Sequence, residues 1–168
     1  SYLSPLVNIG CISEKQKKIR YSFGISLDLH YLCSMNTYNA MNNRELLEPQ
    51  SIVIIGGSNN VHKPGGAIVR NILQGGYQGV LRVVNPKEDE VQGIKVFHDV
   101  KEVPPTDLAI IVVAAKFCPQ YVEFLAAEKQ VRAFIILSAG FGEETHEGAL
   151  LEQQILDTCE KYGCSLII

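Results

Sequence analysis

No two cysteines in this sequence are spaced C-x-x-C. The five present, Cys11, Cys33, Cys118, Cys159 and Cys164, are odd in number, so neither a zinc site nor a disulfide framework is expected. They read as free thiols of a reducing cytoplasm. Charge of one sign is also scarce. A net charge of −3 with acids and bases mixed leaves no basic stripe of the kind a nucleic-acid partner needs. No apolar run nears the roughly 20 residues that span a bilayer, so no membrane segment is expected. Missing too are the G-x-G-x-x-G dinucleotide fingerprint and the lysine of a Walker loop. What is present suits one domain of ordinary size: 168 residues, 46% of them apolar, enough for a core.

Residues 1–40 differ from the rest. Lys15, Lys17, Lys18 and Arg20 outweigh Glu14 and Asp28 there, and the apolar residues follow no period of 2 or 3.6. The run "SLDLHYLCSM" is broken by Asp28 and His30, unlike a secretory signal. Residues 1–40 are therefore expected to be a non-native or disordered extension, with Met41 as the initiator; a genuine amphipathic or targeting extension is the competing reading.

From Met41 onward, strand and helix patterns alternate. Residues 51–57 ("SIVIIGG") form a β-branched run ending in glycines, as a buried parallel strand does. Residues 64–76 carry Ile68, Val69, Ile72 and Leu73 at helical spacing, with Pro64 at the start and Gly75 and Gly76 at the stop. Further strands are predicted over 79–86, 93–97, 106–115, 131–140 and 164–168, and further helices over 118–130 and 144–163. Such alternation predicts an α/β fold, a Rossmann-like doubly wound and mostly parallel sheet with right-handed crossovers. Ligands of such sheets sit where the strands' carboxyl ends open at the topological switch point. Residues 56–60, 85–87, 114–117 and 138–142 are thereby predicted to share one rim.

The loop "GGSNNVHKPGG" offers backbone amides where glycines allow close approach. The helix that follows adds its positive end. Together they favour an anion such as a pyrophosphate, with Ser58, Asn59 and Asn60 as neutral donors. The plain alternative is a long turn that uses Gly and Asn for their backbone angles. An NAD site places an acid after the second strand; here that place holds Asn85, Pro86 and Lys87. A lysine fits a ligand with an extra phosphate, an ADP 3′-phosphate or NADP, although beside Glu88, Asp89 and Glu90 it also reads as a solvated loop residue. A side chain at Gly57 is expected to block phosphate approach and leave the fold intact.

Four segments in order, "IGGSNNVHKPGGAI", "VVNPKEDEVQGIKVFHDVKEVP", "DLAIIVVAAKFCP" and "FIILSAGFGE", make residues 41–168 resemble the CoA-binding domain of ADP-forming acyl-CoA (acetate–CoA) synthetases. These are relatives of the succinyl-CoA synthetase α subunit. The resemblance implies coenzyme A as cofactor. It implies that Gly56, Gly57, Ser58 and Asn59 meet the CoA phosphates and that Asn85, Pro86 and Lys87 contact the ADP moiety. It implies that Ala114, Ala115, Lys116 and Phe117 line the adenine or pantetheine path, with Leu137, Ser138 and Ala139 as a further wall. Ala139 departs from succinyl-CoA synthetases, which have an acid there.

Enzymes of this family interconvert acyl-CoA, ADP and phosphate with acid, CoA and ATP through a phosphohistidine. That histidine belongs to a following domain and the nucleotide to an ATP-grasp domain or subunit, so both are the implied partners. The chain is expected to be a C-terminally truncated piece of such a ligase, not catalytically complete alone. An NAD(P)-binding oxidoreductase or sensor domain, and a stand-alone non-catalytic CoA-binding module, are the alternatives.

Other reactive residues have ordinary readings. His30, His62, His98 and His146 lack the family's phosphohistidine context, with His62 the one placed to touch ligand. Cys118 reads as a packing residue before Pro119. Glu143, Glu144 and Glu147 read as helix N-terminal acids, and residues 88–90 as a solvated acidic loop without a metal.

Overall fold

The computed structural model describes residues 44–141 and 146–168. The extension predicted over residues 1–40 lies outside them, as do Cys11, Cys33, His30, Glu143 and Glu144. The elements run α1 (Arg44–Leu47), β1 (Ser51–Ile55), α2 (Pro64–Gln74), β2 (Val80–Val84), β3 (Glu90–Val91), β4 (Ile94–Lys95), β5 (Leu108–Ile111), α3 (Cys118–Glu128), β6 (Ala133–Ile136), α4 (His146–Tyr162) and β7 (Ser165–Ile167). Short 3₁₀ turns occupy Val100–Glu102 and Ala115–Phe117.

Five strands make one sheet in the order β2-β1-β5-β6-β7, and every pairing in it is parallel. The chain leaves β1 toward one edge and returns to β1's other side at β5, so the switch point lies between β1 and β5. Alternate side chains of each strand face opposite ways. Ile52 and Ile54 of β1 pack with Val69 and Ile72 of α2 and Leu46 of α1. Val53 and Ile55 pack with Val122 and Leu125 of α3 and Ile155 and Cys159 of α4. Helices therefore cover both faces, which is why β1, β5 and β6 read as continuous β-branched or apolar runs. Each fully buried isoleucine contributes about 1.5–3 kcal/mol relative to exposure.

The helix signals act as the sequence predicts. Proline stands in the first turn of α2 and of α3. Gly76 and Gly163 follow α2 and α4 with φ of +72° and +67°, conformations that halt a helix at little cost only in glycine. The short strand predicted over 93–97 takes another form. Residues 90–95 fold back as the β3–β4 hairpin, and Phe97 alone bridges Val84 in parallel at the sheet edge. Among the described residues no helix is long and apolar enough to cross a membrane. Cys118, Cys159 and Cys164 are free and buried.

Candidate functional site

The carboxyl ends of β1, β2, β5 and β6 lead into the four predicted rim segments, 56–60, 85–87, 114–117 and 138–142, the last of which is described as far as residue 141. Gly56, at φ +88°, turns the chain off β1, and a Cβ there would stand 2.5 Å from Val112 O. Behind it the loop meets the head of α2 with no room to spare. A Cβ on Gly65 would lie 2.1 Å from Gly56 O, and one on Gly66 would lie 2.0 Å from Asn60 O. Backbone approaches backbone at both places, and only glycine permits it.

Gly57 behaves differently from the expectation. It is buried, and its Cβ would strike Val83 Cγ1 at 2.6 Å and Val69 Cγ2 at 3.2 Å. A side chain there drives into the core beneath the loop, so Gly57→Val damages the fold before it reaches any ligand. What Gly57 leaves to the rim is backbone.

The head of α2 lacks the usual compensation for a helix N-terminus. Its N-cap is Lys63, in extended conformation, with no side-chain hydrogen bond, and its first turn holds no acid. Of the four amide positions that a helix start leaves without a partner inside the helix, Pro64 carries no N–H and Lys63 N donates to Asn60 O at 3.0 Å, which leaves the amides of Gly65 and Gly66; the dipole there is positive. The Lys63 ammonium adds to it rather than opposes it. Such an end is electrostatically matched by an anion.

Side chains on the β2 side hold the loop from behind. Asn85 donates from Nδ2 to Gly57 O at 2.8 Å, while its Oδ1 accepts from Lys87 N at 2.8 Å and Glu88 N at 3.3 Å. Asn59 donates from Nδ2 to the Glu88 carboxylate and to Glu90 O, and its Oδ1 accepts from Gln92 N at 2.8 Å. Asn60 Oδ1 accepts from His62 N at 3.0 Å. The side chains of Asn59 and Asn85 are thus committed to the protein, so what Asn59 can offer a ligand is its main-chain N–H. Glu88, expected in a solvated loop, is half-buried and anchors Ser58 and Asn59. Pro86 and Lys87 are exposed beside it. Among the described residues, no carboxylate pairs with Lys87.

On the β5–β6 side the rim turns apolar. Phe117 is 44% exposed and Leu137 38%, and Ala114 and Ala139 are exposed too. Lys116 Nζ lies 5.0 Å from the Phe117 ring centre, a cation–π contact. Ala115 is buried under this edge, 3.5 Å from where a Cβ of Gly140 would stand. Ser138 donates its hydroxyl to Val113 O and stands 3.6 Å from Cys118 Sγ, tying the β5 and β6 loops together. Cys118 is the packing residue that its place before Pro119 suggests. It is fully buried, and burial pushes its thiol up in spite of the opposing Ser138 hydrogen bond. It is no poised nucleophile.

The remaining histidines stand apart. His98 meets Asp89 at 3.0 Å on the surface, and His146 opens α4 in the open. Among the described residues no cluster of His, Cys, Asp and Glu is arranged to hold a metal. Sequence reading missed Gln92, whose Nε2 donates to Ser58 O at 3.0 Å and Gly66 O at 2.9 Å. Gly93 alone hinted at a turn there, because the residue before it is Gln92 and not the Asn, Asp or Gly that marks a two-residue hairpin.

Among the described residues the switch-point rim brings together loop amides, a lysine without a carboxylate partner and exposed apolar side chains, chemistry that suits a nucleotide with an apolar arm. A family profile described as "CoA binding domain" matches residues 50–167. The chain belongs to that family. This CoA-binding domain is 42% identical over 127 residues to the α subunit of acetate–CoA ligase [ADP-forming] I of Pyrococcus furiosus, covering 73% of this chain and 27% of that one. Among solved structures, PH0766 from Pyrococcus horikoshii OT3 is 38% identical with a TM-score of 0.65, over 71% of the domain's chain and 27% of its own. A conserved hypothetical protein of Pyrococcus furiosus is 27% identical with a TM-score of 0.53, over 69% of this chain and 90% of its own. The domain thus spans about a quarter of the ligase α subunit it matches and nearly the whole of that smaller protein.

Proposed function

We propose that this chain is the CoA-recognition part of an ADP-forming acid–CoA ligase. The CoA diphosphate lies on the main-chain amides of residues 57–59 and the head of α2. Lys87 faces the 3′-phosphate of the ADP moiety. The pantetheine arm runs past Ala114, Ala115, Lys116 and Phe117, with Leu137, Ser138 and Ala139 as its other wall. In the assembled enzyme, acyl-CoA, ADP and phosphate exchange with acid, CoA and ATP. The domain delivers and orients CoA. A phosphohistidine on a following domain and an ATP-grasp domain or subunit carry the phosphoryl group, and the enzyme works in the cytoplasm.

The observation that carries this reading is the head of α2: no acid in its first turn, no capping side chain, and Lys63 at its N-cap, opposite a loop that Gly65 and Gly66 let approach to contact. A calorimetric titration with CoA, dephospho-CoA and NADP tests it. CoA should bind most tightly and NADP weakly. Lys87→Met should bring CoA down to the dephospho-CoA level, a loss of about tenfold, as for one charge-assisted contact. Equal affinity for CoA and dephospho-CoA in the unaltered chain removes Lys87 from the site. Tighter NADP than CoA replaces the ligase reading with an oxidoreductase one. A second reading, a stand-alone CoA module, is favoured by the Pyrococcus furiosus protein that this chain covers almost end to end.

A further inference from the structure

We propose that Gln92 is a positioning residue of the CoA site, setting the direction of the amides that meet the diphosphate; this rests on the reading above. Gln92 and Gly93 form the two-residue connection between β3 and β4, with φ of +49° and +85°. Both central residues of this turn are left-handed, the arrangement for which Asn-Gly is the favoured pair. Glutamine is an inferior choice there, since a side chain beyond Asn or Gly disfavours positive φ. Its length supplies what asparagine lacks. From the turn, Nε2 reaches two carbonyls on different elements, Ser58 O at 3.0 Å and Gly66 O at 2.9 Å. The orientation of the amide is fixed by these partners, because two carbonyl oxygens admit the NH₂ group and repel the oxygen.

Holding Ser58 O has a directional consequence. In a trans peptide the C=O and the next N–H point opposite ways. Pinning Ser58 O toward Gln92 therefore turns Asn59 N–H to the other side of the loop. Asn85 does the same one residue earlier, since its bond to Gly57 O at 2.8 Å turns Ser58 N–H away from β2. Among the described residues neither of these N–H groups donates to the protein. Two side-chain amides from 26 to 34 residues away thus hold the loop's carbonyls back and leave consecutive N–H groups as a small anion nest. The bond to Gly66 O fastens that nest to the head of α2.

Gln92→Asn and Gln92→Glu, made in the full chain, test this with three readouts: melting temperature, CoA affinity by calorimetry, and the NMR amide signals of Ser58 and Asn59 in the free protein. Asparagine suits the turn but cannot reach both carbonyls. It should leave the melting temperature equal or higher, weaken CoA about tenfold, and move both amide signals. Glutamate faces the same two oxygens with no donor and should weaken CoA about a hundredfold. A residue that merely braces the fold would show affinity falling together with melting temperature; that pattern, or unchanged affinity in both variants, overturns the proposal. If the unaltered chain binds no CoA, the function reading fails by itself. The claim for Gln92 then stands if the two amide signals move in the free variants and falls if they do not.

Discussion

The two ends of the sheet solve opposite problems with similar residues. At the strands' amino ends the polar groups answer one another. The Asp107 carboxylate accepts from Gln50 N at 2.8 Å and pairs with Arg44 at 3.3 Å. Arg82 donates to Thr106 Oγ1 at 3.0 Å, and Thr106 donates to Pro104 O at 2.9 Å. Tyr77 donates to Pro49 O at 2.9 Å. At the carboxyl ends, side-chain bonds pull carbonyls away from the rim, Lys87 meets no carboxylate among the described residues, and the N-cap of α2 makes no side-chain hydrogen bond. A self-satisfied end contributes stability. An end whose charges and amides are left pointing outward is suited to a ligand.

Paired glycine substitutions should give the largest contrast. Gly66→Ala places a Cβ 2.0 Å from Asn60 O at the rim, and Gly79→Ala places one 2.6 Å from Gln50 O and 2.1 Å from Tyr77 Oη at the opposite end. Each should lower stability by about 1–3 kcal/mol through overpacking. Only Gly66→Ala should also abolish CoA binding, read by calorimetry well below the melting point. Equal loss of binding in both would erase the distinction between the two ends.

Thr106→Val probes the amino end more gently. It keeps the shape of a residue that is 4% exposed and strands its two hydrogen-bond partners. Stability should drop by about 1–3 kcal/mol in urea unfolding, with CoA affinity unchanged. The smallest effect concerns pH. Burial, helped by the Asp107 charge and opposed by Arg82, pushes the Tyr77 phenol from 10.0 up to about 12. Between those values the unfolded chain has released the proton that the folded chain keeps. The contribution is therefore fully present below pH 10 and is lost as pH rises toward 12. Tyr77→Phe should flatten that part of the stability curve without altering CoA binding at neutral pH.

Strand and helix succession was legible because buried parallel strands and amphipathic helices have different periods, and because Pro64, Pro119, Gly76 and Gly163 mark helix ends. The convergence of four loops followed from topology alone. The roles of the loop side chains did not. Asn59 and Asn85 are polar residues beside a glycine turn, and composition cannot tell a donor to ligand from a donor to a distant carbonyl. Glu88 looks like its solvated neighbours Asp89 and Glu90 until the hairpin folds it against Asn59. The hairpin was hidden because Gln92 occupies a position where Asn or Gly would announce the turn, so 93–97 read as one short strand. Gly57 was misjudged because a glycine signals missing space without saying on which side.

The bonds from Gln92 to Ser58 and Gly66 bridge 34 and 26 positions of chain, so the β1–α2 unit contains the glycine loop but lacks the means to aim it. Contacts close in sequence favour early formation of that unit, and under the role proposed for Gln92 its cradle would be complete only once the distant hairpin has docked. Coenzyme A would consequently act as a proofreader of completed assembly, stabilising by mass action those molecules in which the late pieces have arrived.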